Sequence, residues 1–193
     1  MRALALATAM FAASSAPAEV VTYPAPAEEQ LSADYQVLAG GKKVDVYTAR
    51  VLDPPFAGKQ WDFGGPYSFA NFDVAGPVEV RITSPRSLKE AFLRPAAADL
   101  KTQLLDDHTL VLSLPGPRKL SIEPEGKKGP LLLFANPLEE SPPKPDAPGV
   151  VYFGPGVHNP GRIELSSDQT LYLAGGAVVK AGILAQGDRI RFC

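Results

Sequence analysis

The sequence predicts an all-β protein, in which an N-terminal β-sandwich is followed by the first coils of a right-handed parallel β-helix. Three observations predict this fold class. Proline is abundant, at 20 of 193 residues, and no helical period survives it outside the short stretch 88–92. Short apolar strands separated by turn residues run through the first two thirds of the chain. In residues 150–193 the strands recur at a nearly constant interval, which is typical of a solenoid.

Residues 1–18 have the composition of a secretory signal peptide. Met1 and Arg2 are followed by an almost wholly apolar run, 3–13, and then by an Ala-x-Ala cleavage site that ends at Ala18. The apolar run is too short for a transmembrane helix. The alternative to a signal peptide is the frayed N-terminal helix of a cytosolic protein. We therefore expect cleavage after Ala18, a secreted or periplasmic location, and no membrane contact after cleavage.

Residues 19–135 carry the strand pattern of a β-sandwich. The Pro-, Ala- and Glu-rich stretch 19–30 is predicted to be an exposed lead-in. The first strand pair, 35–38 and 44–48, flanks Gly40 and Gly41, where a hairpin turn favours glycine. Further strands are predicted at 67–73, 78–82, 109–114, 119–123 and 131–134. Short strands at this spacing, with turn residues between them, are typical of a sandwich.

A proline-rich linker is predicted at residues 136–149. Five prolines lie between Asn136 and Pro148, and such a segment favours extended geometry and cannot be a central strand. The linker separates the sandwich from the start of the predicted β-helix.

The β-helix is predicted from four short apolar strands in residues 150–193. Ile163 and Ile183 are 20 residues apart, and Leu171 and Ile190 are 19 apart, which is about one coil. The leucine-rich-repeat pattern is absent, and a run of antiparallel hairpins is the alternative. We expect these four side chains to point into a shared interior. Because a solenoid needs about three repeats and a polar cap, we also expect the sequence to be the N-terminal portion of a longer, here truncated, protein.

Several segments resemble a known enzyme family. Residues 150–158, 162–165 and 169–179 resemble the entry into the β-helix of secreted glycosidases of the polygalacturonase and dextranase type. Residues 65–73 and 131–138 are similar to the β-sandwich that precedes the helix in some of these enzymes. The resemblance implies a polysaccharide-degrading glycoside hydrolase, with a polysaccharide lyase on the same kind of helix as a subsidiary option.

The same resemblance implies that the catalytic aspartates lie in later coils, in motifs of the Asn-Thr-Asp, Asp-Asp and Gly-His-Gly kind. None of these motifs occurs after Val150. We therefore predict that the catalytic residues are not present in this chain and that it does not hydrolyse polysaccharide alone.

Few other residues are candidates for chemistry. Glycoside hydrolysis requires two carboxyl groups, but the adjacent Asp106 and Asp107 precede a strand, where a hairpin corner is the expected role. His158 is expected to form a hydrogen bond within the corner 154–161. No nucleophile elbow, zinc-type Cys/His cluster or phosphate-binding glycine loop occurs, so we predict no cofactor-binding or metal-binding residue.

Composition excludes other classes. The net charge of −2 with interspersed signs gives no basic stripe, which argues against nucleic acid as a partner. Cys193 is the sole cysteine, so no internal disulfide can form.

One aromatic cluster is a candidate for sugar binding. Trp61 precedes Tyr67, Phe69 and Phe72, and exposed aromatic faces can stack on sugar rings. The alternative is that Phe69 and Phe72 fill the sandwich core while Trp61 covers its edge, since aromatic residues in strands are usually buried. Trp61 is the one candidate glycan contact.

Two functional classes follow. The first is the N-terminal fragment of a secreted glycoside hydrolase, whose polysaccharide substrate binds the full-length enzyme. The second is a stand-alone secreted carbohydrate-binding or accessory β-sandwich module. We expect a monomer in both cases.

Overall fold

The computed structural model describes residues 18–51, 65–96, 99–126 and 128–193. This part of the chain forms sixteen strands and no helix, which confirms the all-β prediction. It accordingly has no helix of the length and apolarity needed to cross a membrane. The predicted signal peptide, save for Ala18, and Trp61 lie outside the described residues. In chain order the strands are β1 (Glu19–Thr22), β2 (Gln36–Ala39), β3 (Lys42–Val44), β4 (Val46–Val51), β5 (Gly65–Ala75), β6 (Val78–Thr83), β7 (Phe92–Arg94), β8 (Lys101–Asp106), β9 (Thr109–Leu114), β10 (Arg118–Glu123), β11 (Leu131–Pro137), β12 (Val150–Phe153), β13 (Gly156–Leu165), β14 (Thr170–Leu173), β15 (Ala177–Ala185) and β16 (Arg191–Phe192).

The first eleven strands form two sheets that share one hydrophobic core. The six-stranded sheet has the order β1-β5-β11-β10-β7, with β4 also paired to β5, and the five-stranded sheet has the order β3-β2-β6-β9-β8. Phe72 and Leu133 from the first sheet and Val80 and Leu112 from the second are fully buried in the same cluster. Because each such side chain contributes about 1.5–3 kcal/mol on burial, this cluster is the main source of stability.

The N-terminal lead-in and the first hairpin differ from expectation. Residues 19–22 are strand β1 and not an exposed lead-in, because Val20 is buried in the core and β1 pairs antiparallel with β5. The predicted strand 44–48 is divided at Asp45: β3 pairs with β2 in the five-stranded sheet, and β4 pairs with β5 in the other. The Asp45 carboxylate accepts a 3.0 Å hydrogen bond from the Ala25 N–H at this crossing, which lowers its pKa.

The glycine turn of that hairpin is as predicted. Gly40 and Gly41 have φ angles of 54° and 79°, in the left-handed region that other residues rarely adopt. They connect β2 to β3 directly.

The last five strands pair only in parallel. β12, β14 and β16 form one sheet and β13 and β15 form another, with Val150 beside Thr170 and Ile163 beside Ile183. The alternative of antiparallel hairpins is therefore wrong for these residues. Between the two sheets lies a second cluster of buried side chains, centred on Ile163, Leu165 and Leu171.

One residue expected in that interior is only partly covered. Ile190 packs against the cluster, but the Ile183 side chain is 51% exposed. The physical reason is its position on β15, which pairs with β13 alone among the described strands, so that stacking on Ile163 covers Ile183 from one side only.

The side of the six-stranded sheet that faces away from the core is not open to solvent throughout. On β5, Phe72 and Val74 point into the core, while Phe69, Asn71 and Asp73 alternate with them and point the other way. We call this second side the outer face. The expectation that Phe69 fills the core is wrong, because Phe69 and Phe72 are three positions apart on a strand and must lie on opposite faces.

Candidate functional site

Two adjoining cavities lie between the outer face and the parallel strands, and together they form what we call the junction cleft. The first encloses about 500 Å³ and the second about 410 Å³, both within the range of ligand-binding pockets. They share Asn71 on the sheet side and Gly176 and Ala177 on the coil side. Side chains that line only the first include Tyr23, Asp73, Asn136, Glu139 and Tyr172, and those that line only the second include Glu29, Tyr47, Phe69 and Lys180.

Pairing across the six-stranded sheet explains how these side chains converge. Tyr47 on β4 is the cross-strand partner of Phe69, and Asn136 on β11 is the partner of Asp73. Because cross-strand partners project to the same side, all four stand on the outer face. The cleft floor is thus set by strand register.

Two tyrosine–carboxylate hydrogen bonds line the first cavity. The Tyr23 phenol donates to Asp73 Oδ2 at 2.5 Å, and the Tyr172 phenol donates to Glu139 Oε2 at 2.6 Å. Burial, and then the adjacent carboxylate, raises the pKa of each phenol well above its usual value of about 10. At neutral pH both phenols therefore remain hydrogen-bond donors to the carboxylates.

A glycine brings the coils close to the sheet at this point. A Cβ atom added to Gly175 would overlap the ring of Tyr23, so only glycine permits this approach. The ring of Tyr152 stacks on that of Tyr172 at 5.2 Å between centroids, which extends the aromatic contact into the coils. The coils therefore rest directly on side chains of the preceding sheet.

The second cavity combines an aromatic wall with an ion pair. The rings of Tyr47 and Phe69 are stacked, with centroids 5.1 Å apart and planes 10° apart. Lys180 Nζ lies 2.7 Å from Glu29 Oε1, and this contact joins β15 to the segment before β2. Burial also raises the pKa of the Tyr47 phenol.

Two side-chain amides line the cleft without a hydrogen-bond partner among the described residues. These amides belong to Asn71 and Asn136, which are half-buried on the outer face. An amide offers donors and acceptors together, so these groups can bind hydroxyl groups of a ligand in the cleft.

The residues singled out from the sequence lie elsewhere. Asp106 ends β8 and Asp107 lies in the turn to β9, where Asp106 Oδ1 accepts a 2.8 Å hydrogen bond from the His108 N–H, which lowers the Asp106 pKa. The expected hydrogen bond of His158 is confirmed, since its Nε2 lies 2.8 Å from the Gly154 carbonyl oxygen. Trp61 is outside the described residues, and its role as a glycan contact stays a prediction.

Metal binding has no support in the part of the chain that the structure describes, where no group of three or more His, Cys, Asp or Glu side chains could hold an ion. The described side chains that line the cleft supply hydroxyl, amide, carboxylate, ammonium, thiol and aromatic groups.

Sequence reasoning missed the junction cleft. Tyr23, Glu139 and Lys180 come from segments interpreted as lead-in, linker and coil, which have no common pattern. The one available signal was on β5, where Asn71 and Asp73 alternate with buried apolar residues in a strand that is otherwise suited to the core.

Comparison with known proteins gives a likeness of fold. No protein-family model matches the chain, and no curated protein matches its sequence. Among solved structures it is similar to Dex49A from Penicillium minioluteum, with a TM-score of 0.57 and 19% sequence identity over 86% of this chain and 47% of that chain. This chain therefore spans about half the length of Dex49A, and at this identity the two share a fold.

Proposed function

We propose that this chain is the N-terminal part of a secreted, polysaccharide-degrading glycoside hydrolase. In this proposal residues 1–18 are the signal peptide, 19–135 are a β-sandwich domain, 136–149 are the linker, and 150–193 are the start of a right-handed parallel β-helix. The observation that carries it is the likeness to Dex49A over 86% of this chain. In this chain, the strands of a two-sheet unit precede the parallel strands. The resemblance of residues 150–179 to secreted glycosidases supports the same assignment.

The carboxylates of the cleft have a structural role in this proposal and are not the catalytic acids. Hydrolysis of a glycosidic bond requires one carboxyl group as acid and a second as base or nucleophile. Asp73 and Glu139 are each occupied as acceptors of a tyrosine hydrogen bond at the junction. We therefore assign Asp73 to holding Tyr23, on which Gly175 packs, and Glu139 to holding Tyr172 of the coils. We propose that the acids of the reaction come from coils beyond those described above.

The test compares this chain with the same protein extended into the coding sequence downstream of Cys193. Reducing-sugar release is measured on neutral and on uronic-acid polysaccharides. We expect release by the extended protein and none by this chain. Turnover by this chain alone would contradict the assignment of the acids, and an inactive, folded extended protein would contradict the hydrolase. Unsaturated products would indicate a lyase in its place.

Export is a separate part of the proposal. The composition of residues 1–18 supports cleavage after Ala18, so the N-terminus of the exported protein is expected to be Glu19. Mass spectrometry of the protein recovered from the periplasm or medium tests this, and an intact Met1 terminus would contradict it.

A second candidate is a stand-alone secreted carbohydrate-binding or accessory module. The junction cleft favours it, since an aromatic wall and unpaired amides are present without any further coil. This candidate predicts a monomer that binds glycan while the extended protein shows no hydrolysis.

A further inference from the structure

The junction cleft offers three features in one place that no role in folding accounts for together. These features are two open cavities, an apolar aromatic wall, and side-chain amides that form no hydrogen bond to the described residues. A cleft that served attachment alone would be expected to close around its contacts, because protein interiors pack to high density. Here two cavities remain open on either side of Asn71, and a ligand is the simplest occupant.

The aromatic wall fits a sugar ring. Phe69 is half-buried and lines the second cavity, and the largely buried Tyr47 stacks parallel to it, which fixes the orientation of the Phe69 ring. Aromatic faces contact the apolar C–H faces of pyranose rings, and a rigid pair loses little conformational entropy on binding. Asn71 follows Phe69 by two positions, so its amide projects to the same side as the wall.

The charges in the cleft select against an acidic polymer. Among the described residues, the side-chain charges that line the two cavities are the carboxylates of Glu29, Asp73 and Glu139 and the ammonium of Lys180. Lys180 is already paired with Glu29, so none of these described side chains offers a free cation to a uronate. A polyuronate entering the cleft would meet like charge, whereas a neutral sugar would not.

We infer that the junction cleft binds a short stretch of a neutral sugar chain, with Asn71 as the central hydrogen-bonding residue and Phe69, supported by the buried ring of Tyr47, as the apolar wall. That the ligand is a polysaccharide chain rests on the proposed function, whereas its neutral character is argued from the charges of the cleft. The site itself does not depend on hydrolysis, since every residue involved is in this chain. Binding and turnover can therefore fail separately.

Calorimetric titration of the full chain tests the inference. The probes are isomaltohexaose, maltohexaose and cellohexaose as neutral chains and hexagalacturonate as an acidic one. We expect binding of at least one neutral chain and none of hexagalacturonate. Asn71→Ala should lower the affinity for the neutral chain by about three- to tenfold, which is the cost of one lost hydrogen bond. Gln103→Ala, which removes an exposed amide from edge strand β8, is the matched control and should leave affinity unchanged.

A second readout uses the sole thiol, Cys193, which is exposed and lines the first cavity. A bound neutral chain should slow alkylation of Cys193 in the wild type and in Gln103→Ala, and less so in Asn71→Ala. Equal affinity of Asn71→Ala and wild type would overturn the inference. So would tighter binding of hexagalacturonate, or no binding of any probe by protein with a cooperative thermal transition. If any of these binding results is found while the extended protein still hydrolyses polysaccharide, the proposed function holds and only the cleft is excluded as a binding site.

Discussion

The phenol of Tyr172 donates a 2.6 Å hydrogen bond to Glu139, which joins strand β14 to the segment that follows β11. Tyr23 makes the same kind of bond to Asp73 on β5 and carries Gly175 against its ring. The parallel strands therefore contact the preceding part of the chain where Gly175 packs on Tyr23 and Lys180 pairs with Glu29, and the Tyr172 bond ties β14 to the connecting segment.

Loss of the first bond should have a modest cost. Tyr172→Phe removes the phenol hydroxyl while keeping the ring, which is buried and stacked on Tyr152. We expect the free energy of unfolding to fall by about 0.5–1.5 kcal/mol at neutral pH, because Glu139 is exposed enough for water to replace the donor. Chemical denaturation measures this, and a loss above about 3 kcal/mol would show that the hydroxyl has a further buried partner.

The same bond should make stability depend on alkaline pH. Burial and Glu139 raise the Tyr172 pKa above the value of about 10 that it has in the unfolded chain. Folded protein keeps a proton that the unfolded chain releases, so this contribution is complete below about pH 10 and is lost as the pH rises further. The melting midpoint of wild type should therefore fall more steeply above about pH 10 than that of Tyr172→Phe.

Titration of other buried tyrosines lowers the stability of wild type and Tyr172→Phe alike at alkaline pH. Burial raises the pKa of Tyr35 to about 12, and its contribution is lost in the same direction in wild type and variant. Only the difference between the two curves reports on Tyr172. Parallel curves would contradict a phenol–carboxylate bond.

The close approach at Gly175 gives a sharper test of the junction. Gly175→Ala places a methyl group in the ring of Tyr23 and should destabilise by about 1–3 kcal/mol, as expected for overpacking. The control is Gly182→Ala on β15, where the new methyl would lie 3.9 Å from the nearest atom, the Gly161 carbonyl oxygen, and where loss of unfolded-state entropy favours alanine. Equal stability of the two variants would mean that the coils do not rest on Tyr23.

Burial in the parallel strands can be tested within β14. Leu171→Ala removes a side chain that is 1% exposed at the centre of the second cluster and should cost about 2–5 kcal/mol. Leu173→Ala makes the same change at a position that is 38% exposed, and should cost well under half as much. Similar losses at both positions would contradict the buried interior.

Trp61 remains a prediction from sequence. If its ring stacks on sugar, Trp61→Ala should weaken glycan binding by about tenfold, within the usual range for a stacking aromatic contact. The same titration used for Asn71→Ala measures this. Unchanged affinity would remove Trp61 as a glycan contact.

Much of the fold followed from periodicity alone. Strand alternation and glycine turns predicted the all-β class, and the interval from Ile163 to Ile183 predicted the parallel register that places these residues side by side. The division of 44–48 at Asp45 could not be predicted, because a strand that changes sheets keeps its apolar alternation on both sides of the crossing. Strand β1 was hidden for a similar reason, since Val20 is a single buried residue in a proline-rich stretch.

The junction cleft depended on tertiary packing. Gly175 meets Tyr23, and Tyr172 meets Glu139, only after the coils are placed on the outer face. Long-range hydrogen bonds of this kind leave no local pattern of spacing in a sequence. The face assignment of Phe69 was available, however, because strand geometry alone sets it opposite Phe72.

The parallel winding of residues 150–193 underlies the proposed function, and inter-strand nuclear Overhauser effects measure it directly. Parallel strands should give contacts at a constant difference in residue number, such as Arg162 to Gly182 and Leu165 to Ala185. Contacts at a constant sum of residue numbers, which antiparallel ribbons produce, would contradict the winding and with it the proposed relation to glycosidases.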